Sequence, residues 1–415
     1  VNVVSLALRN LARNRRRTAL SLAVVAAGTA ALVLTAGFVR FSFDGLSEAM
    51  IHGGLGHLEI AAAAELERRS AGTLDRPASA GLDDWRPLRD ELERLPGVAA
   101  VGANLHLMGL AQKPGGASVS FVGLGVEPDR ERRMGFAIRL RSGAALAEAP
   151  PAPGADPVLL AAGLAESLDA RVGDVVTLLG ADPDGMLNAL DVRVAGIVTT
   201  GVADLDTRWL KLPLASAQRL AQTERVSNLL VVLDDTGRTD AAAAELRARL
   251  AGRAPALAVT PWHERAPFYR QVRDLYSGIF RFLGTIVFVL VVLAASNTLV
   301  MTVFERMREL GVLRAMGATP GQISALVAAE ALWLGLLGAA AGALLGAGGL
   351  AALNAAELRM PPPPGAVDPI DLRLAWVPEA FAGAAALMLL VLALAAIFPI
   401  LRAIRIRVVD ALGHV

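Results

Sequence analysis

Four long stretches of this 415-residue chain carry almost no charge, and they limit its fold more than any other feature. Thr18–Val39 runs for 22 residues without a charged side chain and Phe282–Phe304 for 23. Ile323–Leu353 carries only Glu330, and Ala380–Leu401 carries none. At 1.5 Å of rise per residue, about 20 residues cross roughly 30 Å of hydrocarbon. Each stretch therefore reads as a transmembrane helix, with expected bounds 18–41, 276–304, 323–353 and 376–401. The second is drawn back to Tyr276, with Arg281 snorkelling to the interface. The third is longer than a bilayer needs, which implies tilt or projection. A cleaved signal peptide is the competing reading of the first run. Its length exceeds the usual apolar signal core of about 7–15 residues, which favours an uncleaved anchor. The 54% hydrophobic content agrees.

Charge orients the four spans. Arg9, Arg13, Arg15, Arg16 and Arg17 precede the first; Arg306, Arg308 and Arg314 lie between the second and third; Arg402, Arg405 and Arg407 follow the fourth. The 354–375 loop holds only Arg359 and Arg373 around the stiff Pro361–Pro364 run. Arginine excess marks the cytoplasmic side, so both termini (1–17, a surface amphipathic helix, and 402–415, a tail) are expected there, and the long 42–273 segment outside. Net charge is +1, so no bulk field points to nucleic acid. There is no cysteine, which excludes disulfides and thiolate metal sites.

Between the first two spans the pattern changes to that of a water-soluble α+β domain. Short alternating runs at His57–Ile60, Ala99–Leu107, Ser118–Val126, Val175–Leu179, Val192–Val198, Leu229–Leu233 and Leu257–Thr260 predict strands. Helices are expected at Asp83–Leu95, Leu159–Leu168, Ala215–Gln222 and Thr239–Leu250, the first started by Asp83 or Asp84 with acids in its first turn. A strand–helix–strand–strand order is interrupted by a β-rich portion and then resumes. That suggests a split domain (about 42–128 and 223–273) with an inserted β-rich subdomain (about 129–222).

The loop at 305–321 is a charged island between two greasy runs, FERMRELGVLRAMGATPGQ. Glu305 lies three residues before Arg308 and four before Glu309, so a helix sets them on one face. Leu310, Val312, Leu313 and Met316 supply an apolar side. Gly317 ends the helix, and Thr319-Pro320-Gly321 turns the chain. The alternative reading is a basic loop that only sets topology.

The string ERMRELGVLRAMGATPGQI resembles the signature loop of the FtsX-like, MacB/LolC/LolE-type permeases of ABC transporters. HGGLGHLEI, GLAESLDARVGDVVTLL and VRVAGIVTTG look like segments of that family's periplasmic core domain. The resemblance implies a bacterial inner-membrane protein with four transmembrane helices. A large porter-like α+β domain with a β-rich insert would lie between helices 1 and 2. It implies that the 305–321 loop is the coupling helix, with Glu305, Arg306, Arg308, Glu309, Gly311, Arg314 and Gly317 docking on a P-loop ATPase subunit. It implies a homo- or heterodimer with a second permease, and work of the mechanotransmission type. The implied cargo is a lipoprotein, as in LolC/LolE systems. The alternatives are drug or toxin efflux with a periplasmic adaptor, or FtsX-like signalling to a cell-wall hydrolase.

The remaining residues fit a non-catalytic subunit. Neither Lys113 nor Lys211 follows a glycine, so no P-loop exists here, and ATP with its Mg is expected in the partner chain. His52, His57, His106 and His263 have no metal-ligand spacing, and no catalytic constellation appears. Glu330 is ionisable within a span and is a functional candidate, paired with Arg306 or Arg314, or else a capped acid near the interface. Gly338, Gly342 and Gly346 form a small-residue stripe for close helix contact, within the bundle or toward a dimer partner. Asn297 is expected to make an interhelical hydrogen bond. Phe38, Phe41, Phe280 and Phe282 mark a cargo groove or simply an aromatic belt that contacts lipid.

Overall fold

A computed structural model describes residues 7, 9, 15–70, 81–136, 139–149, 155–182, 185–200, 203–253, 256–360 and 370–404. Most of the expected surface helix over 1–17, the Pro361–Pro364 run and most of the 402–415 tail lie outside those residues. In chain order, helix α1 covers Arg15–Met50 and passes into a π-helical turn at Ile51–Leu55. Strand β1 (Leu58–Ala62), helix α2 (Trp85–Glu93), β2 (Val98–Gln112), β3 (Ser118–Val126) and helix α3 (Pro128–Arg133) follow. Next come β4 (Arg139–Gly143), β5 (Asp156–Ala161), β6 (Val175–Ala181), β7 (Leu187–Thr199), β8 (Trp209–Pro213) and β9 (Asn228–Leu233). Helix α4 (Thr239–Leu250) and β10 (Leu257–Pro261) close this region. Helices α5 (Pro267–Glu305), α6 (Met307–Ala315), α7 (Pro320–Ala355) and α8 (Pro378–Ile404) complete the chain.

Two compact units result. One holds the described residues up to Asp44, Gln271–Met360 and those from Ile370 onward; the other is Gly45–Arg270. The first unit is built on the four apolar helices, each long enough to cross a bilayer. Each of the four extends past at least one expected bound, α1 by the most, running to Met50 beyond the expected 41, while α8 starts at Pro378, two residues inside the expected 376. Arg40 does not stop the helix, because Arg40 Nε pairs with Asp44 Oδ2 one turn on, at 2.7 Å.

In the second unit the ten described strands form one sheet in the order β10-β1-β9-β2-β3-β8-β5-β7-β4, with β6 pairing β2 and β7. Pairs β3/β8 and β5/β7 are parallel and the other pairs antiparallel. The expected insert therefore shares one hydrogen-bonded sheet with the expected split domain, through β3–β8 and β2–β6. Period-2 alternation gives the sheet two different faces. Leu58 and Ile60, Val101 through Leu107 at odd positions, Leu210, Leu212, Leu229 and Val231 enter the main core. Trp85, Leu88 and Leu92 of α2 and Ala243, Leu246 and Leu250 of α4 cover it. Each fully buried large aliphatic contributes about 1.5–3 kcal/mol.

Two expectations are corrected here. Leu159–Leu168 is not one helix: Leu159–Ala161 ends strand β5, and a short helix occupies Ala162–Ser167. The run Val158–Ala161 is buried throughout, so it shows neither period. Helix α2 has no acid in its first turn, and Asp84 starts it at φ +42° without a side-chain cap bond. Asp83 instead pairs with Arg225 at 2.7 Å.

Candidate functional site

The charged island folds as a short helix set between two breaks. Arg306 leaves helical geometry after α5 (φ −106°, ψ 15°), and α6 begins at Met307. Its end is a Schellman motif. Ala318 N–H donates to Leu313 C=O at 3.0 Å and Gly317 N–H to Arg314 C=O at 3.1 Å. Gly317 sits at φ +96°, which only glycine adopts without strain. Helix α7 then starts with a capping box. Thr319 Oγ1 accepts from Gln322 N–H (3.3 Å), and Gln322 Oε1 accepts from Thr319 N–H (3.0 Å). Pro320 fills the first turn, where its missing N–H costs nothing.

Charges tie this helix to its unit. Arg306 Nη1 lies 2.6 Å from Glu330 Oε1 on α7, and Arg306 Nε lies 3.0 Å from Glu309 Oε2 on α6. Glu330 is only 4% exposed, so its charge is supported by a buried pair. Of the two arginines considered for Glu330, Arg306 makes the contact; Arg314 Nη1 donates to the Ile404 carbonyl at 3.1 Å. Below them Leu310, Ile323, Leu326, Val327, Val303 and Ala403 pack together.

The site residues divide into two faces. Leu310 and Gly311 are buried and Arg306, Glu309 and Arg314 are half-buried, whereas Glu305, Arg308 and Gly317 are exposed. Val312 (42%) and Met316 (72%) are exposed as well. This corrects the expected apolar side: only Leu310 and Leu313 join the core, and Val312 and Met316 stand on the outer face with Arg308. The reason is the helix period, since 308, 312 and 316 repeat every four residues and 310 falls opposite.

The glycine stripe packs inside the bundle. A Cβ on Gly342 would lie 2.5 Å from the Ala26 carbonyl oxygen and from Thr29 Cβ. One on Gly338 would lie 2.6 Å from Val25 Cγ1, and one on Gly346 3.1 Å from Val33 Cβ. Helix α1 therefore lies directly on α7. Asn297 differs from expectation: it is exposed on α5 and makes no side-chain hydrogen bond among the described residues. Its neighbour Thr298 bonds within the helix, to the Ala294 carbonyl. Phe38 and Phe280 meet edge to face at 6.2 Å, with Tyr276 6.1 Å from Phe280. Phe41 is half-buried and has no ring contact among the described residues, and Phe282 is 67% exposed.

Sequence reasoning missed the Thr319–Gln322 box, although Thr-Pro-Gly-Gln carries the S/T-x-x-E/Q signal. It also missed the pairing of Arg402 with Phe304 and Phe398, whose ring centroids lie 5.8 and 5.7 Å away; the Phe398 pair is an i, i+4 contact on α8 that the sequence does carry, whereas the distant Phe304 contact leaves no local pattern.

Comparison with known proteins agrees with this architecture. Residues 18–249, more than half of the chain, match the MacB-like periplasmic core domain. Residues 281–408 match the FtsX-like permease C-terminal. Similar solved structures include the periplasmic region of MacB from Actinobacillus actinomycetemcomitans, at 16% identity over 53% of this chain and 95% of that one, with a TM-score of 0.37. Another is the extracellular domain of the noncanonic ABC-type transporter YknZ from Gram-positive bacteria, at 16% identity over 45% and 96%, with a TM-score of 0.31. The four apolar helices and the core domain fit a multi-pass inner-membrane protein. On the two family matches, the chain belongs to the FtsX/MacB-type permeases of ABC transporters.

Proposed function

We propose that the chain is the membrane subunit of a mechanotransmission-type transporter, and that α6 docks on a separate ATPase chain holding ATP and Mg. The observation that carries this is the Arg306 bridge, which links α6 through Glu309 to α7 through Glu330. A push on the outer face of α6 reaches the membrane helices through that charge network and the Leu310 cluster, not through a slack loop. The arginine distribution supports a cytoplasmic position for α6 and both termini, with the core domain on the opposite side.

A second permease chain is part of the proposal. Asn297 offers an amide at mid-span on an outward helix face, where lipid cannot bond it. The cargo we infer is a lipid-anchored protein, taken up beside the Phe38–Phe280 contact. A mild-detergent pull-down of the tagged full chain with mass spectrometry tests the cargo. Acylated N-terminal peptides are expected. Recovery of a periplasmic adaptor without such peptides would replace this cargo with small-molecule efflux.

A further inference from the structure

The core domain carries a cavity that the coupling account does not use. It lies wholly within the Gly45–Arg270 unit, against the sheet face opposite the main core, and has a volume of about 470 Å³. That face is unusual in being both buried and polar. Across the strands, Asn104 pairs with Asn228, His106 with Leu124, and Leu124 with Lys211, so these side chains share it. Asn104 is 7% exposed, Lys211 4%, Glu59 1% and Asn228 0%.

The charges are already balanced. Arg265 Nε meets Glu59 Oε2 at 2.6 Å, Asn228 Nδ2 donates to the other Glu59 oxygen, and Lys211 Nζ donates to Glu131. Glu127 accepts from Arg89 at 2.7 Å and from Ala103 N–H at 3.2 Å. Two amides keep unused hydrogen-bonding capacity among the described residues. The Asn104 amide makes no side-chain hydrogen bond among the described residues, and Asn228 Oδ1 is buried without a partner among them. Buried amides without partners are rare, and a cavity wall is where a ligand supplies them. Thr199 and Thr200, whose hydroxyls donate to Asp206, also line it, and Met50, Met134, Phe136, Leu230 and Trp209 supply apolar and aromatic wall.

The geometry points to a binding site for an uncharged, drug-sized amphiphile that bears an N–H or O–H donor, held by the Asn104 amide with its apolar body against Phe136 and Trp209. The paired charges of the wall ask for no counter-ion, and the volume is that of a small-ligand pocket. The inference concerns binding and stands whichever cargo the permease moves.

The test uses the full chain in nanodiscs and the uncharged fluorophore N-phenyl-1-naphthylamine, with its N-methylated analogue as the donor-free control. Empty nanodiscs define partition into lipid. Wild type is expected to show a saturable component absent from empty discs, and the N-methylated analogue to bind about tenfold more weakly. Asn104→Leu, which replaces a buried amide with an apolar group of similar size, should remove that preference while leaving the fold intact. Gly53 lines the cavity, and a Cβ there meets nothing within 4 Å, so Gly53→Trp should fill the space and abolish the saturable component. No saturable component in wild type overturns the proposal. So does equal binding of both probes by wild type, or full binding by folded Gly53→Trp.

Discussion

At the scale of single residues, the Arg306–Glu330 pair is the most consequential contact. Removing one partner of a buried pair strands the other charge, which costs about 3–5 kcal/mol, whereas replacing both with apolar groups is often neutral. Arg306→Ala should therefore lower thermal stability in detergent sharply, and Arg306→Met combined with Glu330→Met should recover most of it. Equal loss in the single and double variants would show that the pair is not what Arg306 supports. His57 gives a second residue-scale prediction. Its Nδ1 accepts from Leu233 N–H at 3.1 Å, and its Nε2 lies 2.9 Å from Thr236 Oγ1, which in turn donates to Glu48 at 2.8 Å. Burial holds the imidazole below its ordinary value of 6.5, helped by His52 and opposed by Glu48 and Asp235. The unfolded chain therefore takes up this proton first as pH falls. Stability is fully present above about pH 6.5, declines as pH drops through that value, and levels off below the folded-state value. Thermal midpoints of wild type and His57→Gln between pH 7.5 and 5 should differ in slope; parallel profiles would contradict the assignment.

At the scale of elements, the bundle depends on how closely α1 approaches α7. Gly342→Ala forces a carbon to within 2.5 Å of the Ala26 backbone, so the helices must part, at about 1–3 kcal/mol. Gly348 lies on the same helix, with nothing within 4 Å of its Cβ position. There Gly348→Ala should stabilise α7 by up to about 1 kcal/mol through helix propensity alone. Paired thermal melts of the two variants check the contrast. The elements also show what was legible in the sequence. The uncharged runs gave the four spans, Gly317 and Pro320 gave the ends of α6 and α7, and Ser118–Val126 is reproduced to the residue as β3. Leu159–Leu168 misled because a segment buried on both faces carries no alternation to separate strand from helix. The interhelical bond expected of Asn297 has no partner among the described residues of this chain, since a span's sequence says that an amide needs a partner, not which chain supplies it. The polar face beneath the cavity was hidden for another reason. Glu59 between Leu58 and Ile60, and Lys211 between Leu210 and Leu212, alternate with apolar neighbours just as solvent-facing residues would, and only α3 and the segments around it reveal that the face is covered.

At the scale of the whole molecule, two units of different solvent preference share one chain. A sheet-based unit is interposed between the first and second of four apolar helices. The glycine stripe was open to two uses, and its contacts with Val25, Ala26, Thr29 and Val33 assign it to packing within the chain. In the proposed dimer a second permease chain would meet other surfaces, such as the α5 face that carries Asn297. The Arg306–Glu330 contact, 24 positions apart in sequence, was legible only as an alternative, since a span acid near a basic loop has several arginines within reach. The outer face of α6 is the surface proposed to dock an ATPase. The most direct measurement is co-purification of a P-loop ATPase with the full chain, compared with Arg308→Glu combined with Met316→Asp. Both positions are exposed, so the fold should persist, with unchanged melting and gel-filtration behaviour. Wild type is expected to retain the ATPase and the double variant to lose it at least tenfold, about 1.4 kcal/mol or more of docking energy. Equal retention by the folded double variant, or reproducible absence of any ATPase from wild type, would contradict it.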